Sequence, residues 1–97
     1  MNRAEVLDLL ARNKPTLVAR FGVDRLALFG STARDAARAD NSDIDILVSF
    51  DGPATSERYF GVQFFLEDLL GRPVDLVTDK ALRPELRPFI EREAVHV

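Results

Sequence analysis

Asp43-Ile44-Asp45-Ile46-Leu47-Val48-Ser49-Phe50 alternates with a period of two: Ile44, Ile46, Val48 and Phe50 share one face, while Asp43 and Asp45 share the other. Such alternation is the mark of a β-strand. It places two carboxylates on one side, with α-carbons about 7 Å apart. Upstream, Ala39-Asp40-Asn41-Ser42 reads as a polar loop and the alanine- and arginine-rich run from Ser31 to Arg38 as a short helix. Before it, Arg25-Leu-Ala-Leu-Phe29 is a short apolar run halted by Gly30-Ser31, a buried strand entering a tight turn. The chain opens on a helix: Asn2 and Glu5 form a capping-box pair, Val6, Leu7, Leu10, Leu17, Val18 and Phe21 follow at helical spacing, and Gly22 closes the segment. Pro15 predicts a kink near Asn13 to Pro15 or a division into two short helices.

Downstream, Asp51-Gly52-Pro53 ends the strand, and Ser56–Leu70 is a helix with Tyr59, Val62, Phe65, Leu66, Leu69 and Leu70 as its core stripe. Phe60, Phe64 and Phe65 cannot all face one core from a single helix, so at least one lies at an edge. Tyr59 and His96 are expected to serve packing or surface roles. Gly71 and Pro73 lead into a third strand, Val74–Thr78, with Asp75 between apolar residues; Leu82 to Ala94 reads as a last helix broken by Pro84 and Pro88. Helix, strand, helix, strand, helix, strand, helix is an α/β pattern without repeat or linker, and residues 1–97 read as one domain.

Composition narrows the chemistry. There is no cysteine and only one histidine, His96, which excludes disulfides, thiol nucleophiles and zinc sites built on thiolate or clustered imidazole. Any metal must be held by oxygen. Charged residues in the first twenty positions interrupt a signal-peptide core and no apolar run approaches a membrane span, so the expected location is the cytoplasm with no membrane partner. A formal charge of -3 argues against coating long nucleic acids, yet leaves room for a nucleotide held through a bridging cation.

Two local features fit that opening. Gly30-Ser31 follows a strand and opens a helix, where free amides can hold phosphate oxygens, although the same pair is a common plain turn. Asp43 and Asp45 offer the oxygen ligands that magnesium takes together with substrate phosphates, although an isolated Asp-x-Asp is also how a strand faces water. Asp75 favours the metal reading, because a carboxylate within an apolar strand is costly unless exposed, paired or bound, and neighbouring acids repel unless a cation relieves them. Arg34 is near enough in sequence to reach a phosphate; Arg38, Lys80 and Arg83 are as readily explained as solvated charges.

Taken together, Gly30-Ser31-Thr32-Ala33-Arg34, Asn41-Ser42-Asp43-Ile44-Asp45-Ile46-Leu47-Val48 and Val74-Asp75-Leu76-Val77 resemble the minimal nucleotidyltransferases, short relatives of DNA polymerase beta that are often encoded beside a HEPN-domain toxin as its antitoxin. One departure is Asp35, where many relatives have glycine. The resemblance implies a small polymerase-beta-like α/β fold with a mixed sheet flanked by helices and Asp43, Asp45 and Asp75 in one cleft. It implies that Gly30, Ser31 and Arg34 bind the phosphates of a nucleoside triphosphate, expected to be ATP. Asp43, Asp45 and Asp75 would ligate Mg2+, or Mn2+ in its place, with Asp75 also the base for the attacking hydroxyl. The implied reaction is transfer of AMP to a hydroxyl, a tyrosine of a HEPN partner being the expected acceptor; homo-oligomers are compatible with it. Two other readings stand beside it: an antitoxin that neutralises by covering its partner, and a transferase for a small-molecule acceptor, for which the chain leaves little material to build a pocket.

Overall fold

The structure is a computed structural model that describes residues 1–34 and 43–97. The element order is α1 (Arg3–Phe21), β1 (Val23–Phe29), α2 (Gly30–Ala33), β2 (Ile44–Phe50), α3 (Ser56–Leu70), β3 (Val74–Thr78), a 3-10 turn (Asp79–Ala81), α4 (Arg87–Glu93) and β4 (Val95–His96). The strands form one mixed sheet in the order β3-β2-β1-β4, with β1 antiparallel to β2 and β4 and β2 parallel to β3. A parallel neighbour requires a crossover, and α3 supplies it.

The two faces of this sheet differ in kind. Alternate residues Leu26, Leu28, Ile44, Ile46, Val48, Val74 and Leu76 point to α1 and α3 and join Val6, Leu10, Leu17, Val62 and Leu66 in the main core. The intervening residues face the other way. There Ala27, Phe29 and Leu47 meet Leu82, with Val77, Ile90 and Ala94 packed around them, so the 3-10 turn and α4 roof only part of that face. The remaining part carries the acids.

Local signals act as expected at most helix ends. Asn2 and Glu5 form a reciprocal capping box, and Gly22 closes α1 in the left-handed conformation. Of the two expected alternatives, the division into two helices does not occur: α1 is one element through Pro15. Ala11, whose carbonyl loses its amide partner to the proline ring, and Pro15 itself are both exposed, so water serves that carbonyl while Leu10 and Leu17 hold both halves to the same core. Val18 lies off the core face and is exposed.

Three boundaries also move. Strand β1 starts two residues before Arg25 because Val23 pairs with Phe50. The expected Leu82–Ala94 helix is only Arg87–Glu93, with Pro88 tolerated in its first turn. The chain then adds β4, where Val95 and His96 pair with Leu28 and Ala27. Of the expected Ser31–Arg38 helix, the structure describes the part within Gly30–Ala33 and a turn at Arg34. Asp35, Arg38 and the 39–42 loop lie outside the described residues. Tyr59 packs and donates its hydroxyl to the Leu76 carbonyl at 2.5 Å. Phe65 meets Phe21 edge-on, while Phe60 and Phe64 stack on each other in solvent.

Candidate active site

Strand pairing brings Asp45 and Asp75 together. Asp45 lies beside Asp75 in the parallel register of β2 and β3, and beside Phe29, the last residue of β1, in the antiparallel one. In register on adjacent strands, Asp45 and Asp75 point to the same side, the face of Leu47 and Val77 rather than the main core. Asp43 precedes β2 and is exposed, as is Asp75, while Asp45 is half-buried. Asp45 and Asp75 thus share the partly roofed face on neighbouring strands, and Asp43, just before the start of β2, is near enough to add its charge there.

Asp45 is the electrostatic centre. Its carboxyl is pushed up from the ordinary 3.8 to about 6, by burial first, then by the charge of Asp75, a hydrogen bond with the Asp75 carboxyl, and the charges of Asp43 and Glu93. A carboxyl–carboxyl hydrogen bond needs a proton between the groups, and a divalent cation answers the same repulsion with more charge. Among the described residues no group of three or more His, Cys, Asp or Glu is placed so that it could hold a metal ion. An oxygen-only pair that leaves the rest of the coordination shell to water and phosphate matches how magnesium is usually held.

Gly30 fits so closely against Asp45 that any side chain there would have to displace it. Its φ is +74°, and a Cβ built there would collide with the Asp45 carboxylate. Ser31 follows in α2, partly exposed, and Arg34 caps that helix turn with an exposed side chain. The structure therefore gathers Gly30, Asp43, Asp45 and Asp75, with Ser31 and Arg34 on the adjoining turn. Lys80 and Arg83 are exposed on the 3-10 turn and just beyond it.

One residue at this site escaped the sequence reading. Glu93, at the end of α4, accepts hydrogen bonds from the Gly30 amide at 3.0 Å and from Arg34 Nη1 at 2.6 Å. In sequence it is one charge in Glu91-Arg92-Glu93, and nothing marks it out. A hollow of about 210 Å3 lies farther along the same face, lined by Arg25, Ala27, Leu47, Ser49, Asp79, Glu91 and His96, and none of the three acids reaches it.

The sheet thus carries two helices on one face and, on the other, acids from adjacent strands beside a glycine turn. Residues 10–97 match the nucleotidyltransferase domain model, and the chain belongs to that family. It is a nucleotidyltransferase. The protein adenylyltransferase MntA of Thermococcus cleftensis is 38% identical over 93 residues, 96% of this chain and 93% of that one. A solved minimal nucleotidyltransferase is 40% identical and superposes with a TM-score of 0.77 over 98% of this chain and 95% of that chain. The same fold recurs, at 22% identity and a TM-score of 0.59 over 98% of this chain and 67% of that chain, in the structure of a tri-AMPylated HEPN toxin of Shewanella oneidensis with its MNT antitoxin. No described helix is long and apolar enough to cross a membrane.

Proposed function

We propose that this chain, acting as one domain, transfers AMP from ATP to a hydroxyl on a protein, a tyrosine of a HEPN-domain toxin, and thereby acts as that toxin's antitoxin. The observation that carries this is the register of Asp45 with Asp75 on adjacent strands, with Gly30 close against Asp45. The adenylyltransferase name of the Thermococcus cleftensis relative and the AMPylated toxin in the Shewanella oneidensis complex support the acceptor class.

In this reading Asp43, Asp45 and Asp75 hold Mg2+, or Mn2+, which when bound neutralises the triphosphate and the departing pyrophosphate and lowers the pKa of the acceptor hydroxyl. The chain's own residues do the rest. Gly30 and Ser31 take phosphate oxygens on backbone amides that no Cβ obstructs, and Arg34 adds a cation at the same turn. Asp75, exposed beside Asp45, accepts the acceptor's proton as its oxygen bonds to the α-phosphorus; the bond to the β-phosphate oxygen breaks and pyrophosphate leaves.

Incubation of the chain with Mg-ATP and its HEPN partner tests the reaction. Intact-mass spectrometry is expected to show the partner gaining whole AMP units, and none when chelator is present. The stacked, exposed Phe60 and Phe64 favour one rival, an antitoxin that only covers its partner. Neutralisation by Asp75→Asn with no mass gain on the partner would establish that rival.

The proton on Asp45 adds a check without a partner. Below about pH 6 a cation must displace that proton, whereas above it the carboxylates are bare and repel. Magnesium is therefore expected to raise the melting temperature clearly at pH 8 and little at pH 5, as read by scanning calorimetry. Equal shifts at both pH values would dissociate the metal from Asp45.

A further inference from the structure

Glu93 holds the two donors that the reading above assigns to phosphate. Its Oε1 accepts from the Gly30 amide and its Oε2 from the Arg34 guanidinium, so one carboxylate spans both groups as two oxygens of a phosphate would. The contact is not a local cap, since Glu93 stands 63 residues after Gly30 and 59 after Arg34. It is made because α4 packs Ile90 and Ala94 on the roofed part of the sheet and thereby brings its last turn over the glycine turn. A triphosphate arriving there meets donors already filled and a fixed negative charge beside Asp45.

We propose that Glu93 is an internal competitor for the phosphate seat, a residue that sets nucleotide affinity by occupying Gly30 and Arg34 until a triphosphate displaces it. The proposal rests on the reading of Gly30 and Arg34 as phosphate donors. The Arg34 side chain of this ion pair is 55% exposed and that of Glu93 27%, so the contact is weak enough to yield to a multiply charged ligand. Competition of this kind lowers apparent affinity by the fraction of molecules whose seat is free. A carboxylate that served only to position Gly30 and Arg34 would have the opposite effect, because its loss would leave the donors unordered and weaken binding. The sign of the change therefore separates the two roles.

The test is isothermal calorimetry of Mg-ATP with the full chain and with Glu93→Gln, which keeps the volume and removes the charge. Binding is expected to tighten by about three- to tenfold in the variant. A second measurement needs no variant: in wild-type protein labelled with 13C, the Glu93 carboxyl resonance is expected to move as Mg-ATP saturates, because the carboxylate leaves its two donors. Unchanged or weaker binding by Glu93→Gln, while the wild type binds Mg-ATP, would overturn the competitor role and leave the nucleotide reading intact. So would a Glu93 resonance that stays still through saturation. Absence of Mg-ATP binding by the wild type itself would remove the nucleotide reading and this proposal with it.

Discussion

Asp45→Asn is expected to abolish nucleotidyl transfer while making the chain more resistant to heat. The loss should reach at least about a thousandfold, since an amide oxygen carries no charge with which to hold a cation between phosphate and acceptor. The gain in stability follows from the titration of Asp45. Its carboxyl ionises near 3.8 in the unfolded chain and at about 6 in the folded one, so between those values the folded state holds a proton that the unfolded state has released. Stability from this group is therefore present at low pH and eroded as pH rises through 6. Asparagine does not titrate, and the erosion vanishes. Because Asp45 is partly exposed, solvent screens much of the repulsion, and the relief is about 1 kcal/mol at pH 8, or roughly 4–8 °C in melting temperature. Scanning calorimetry of both proteins from pH 4 to 8, in chelator, checks the sign: the curves should diverge as pH rises. A variant no more stable than wild type at pH 8 would show that the acids do not repel in the folded chain.

Gly30→Ala is expected to damage both fold and site. A side chain at φ +74° costs about 1–2 kcal/mol on backbone grounds alone. The added methyl would also drive into the Asp45 carboxylate and press on its Cβ, which strand pairing on both sides of β2 holds in place, so the carboxylate must rotate away from its present position. Together these predict a loss of about 2–4 kcal/mol in stability, measured by urea unfolding. Transfer should fall by at least about a hundredfold even at temperatures where the variant stays folded, since Asp45 moves with its neighbour. Gly71→Ala is the control: it shares the left-handed backbone, at φ +65°, but a methyl there would meet nothing within 4 Å. Comparable effects at the two glycines would mean that conformation, rather than closeness to Asp45, governs position 30.

Period-two alternation was enough to place Asp45 on the side of the strand away from the main core, although β2 begins at Ile44 and leaves Asp43 just before it, and Val74–Thr78 was legible for the same reason. What alternation could not convey was the nature of the acid-bearing face. Leu47 lies on that same side and is buried against Leu82, so the face is half a second core rather than a plain solvated surface. That follows from where residues 79–93 fold back, a tertiary fact with no local trace. Strand β4 was missed because two residues cannot display a period, and its pairing depends on β1 being available at an edge. Pro15 left two outcomes open, a kink or two helices. The helix stays one element because an exposed carbonyl costs little and the burial of Leu10 and Leu17 on either side outweighs it. Glu93 was invisible because its importance lies in what it meets, not in its neighbours along the chain.

Strand β3, which carries Asp75, lies at one end of the sheet order and, among the described residues, has a partner on one side only. An open strand edge with the sequence Val-Asp-Leu-Val-Thr invites a second molecule to pair with it, and short length, charge and flanking proline are the usual defences. Here the strand is five residues long, Pro73 precedes it, Lys80 follows shortly after, and Asp75 is the charge within it. One carboxylate thus guards the chain against edge-to-edge aggregation while standing where the chemistry is proposed to occur. Substitution of Asp75 by alanine or valine would remove that guard together with the charge, and lost activity could then reflect insoluble protein. Asparagine keeps the edge polar, which makes it the substitution that isolates chemistry from self-association.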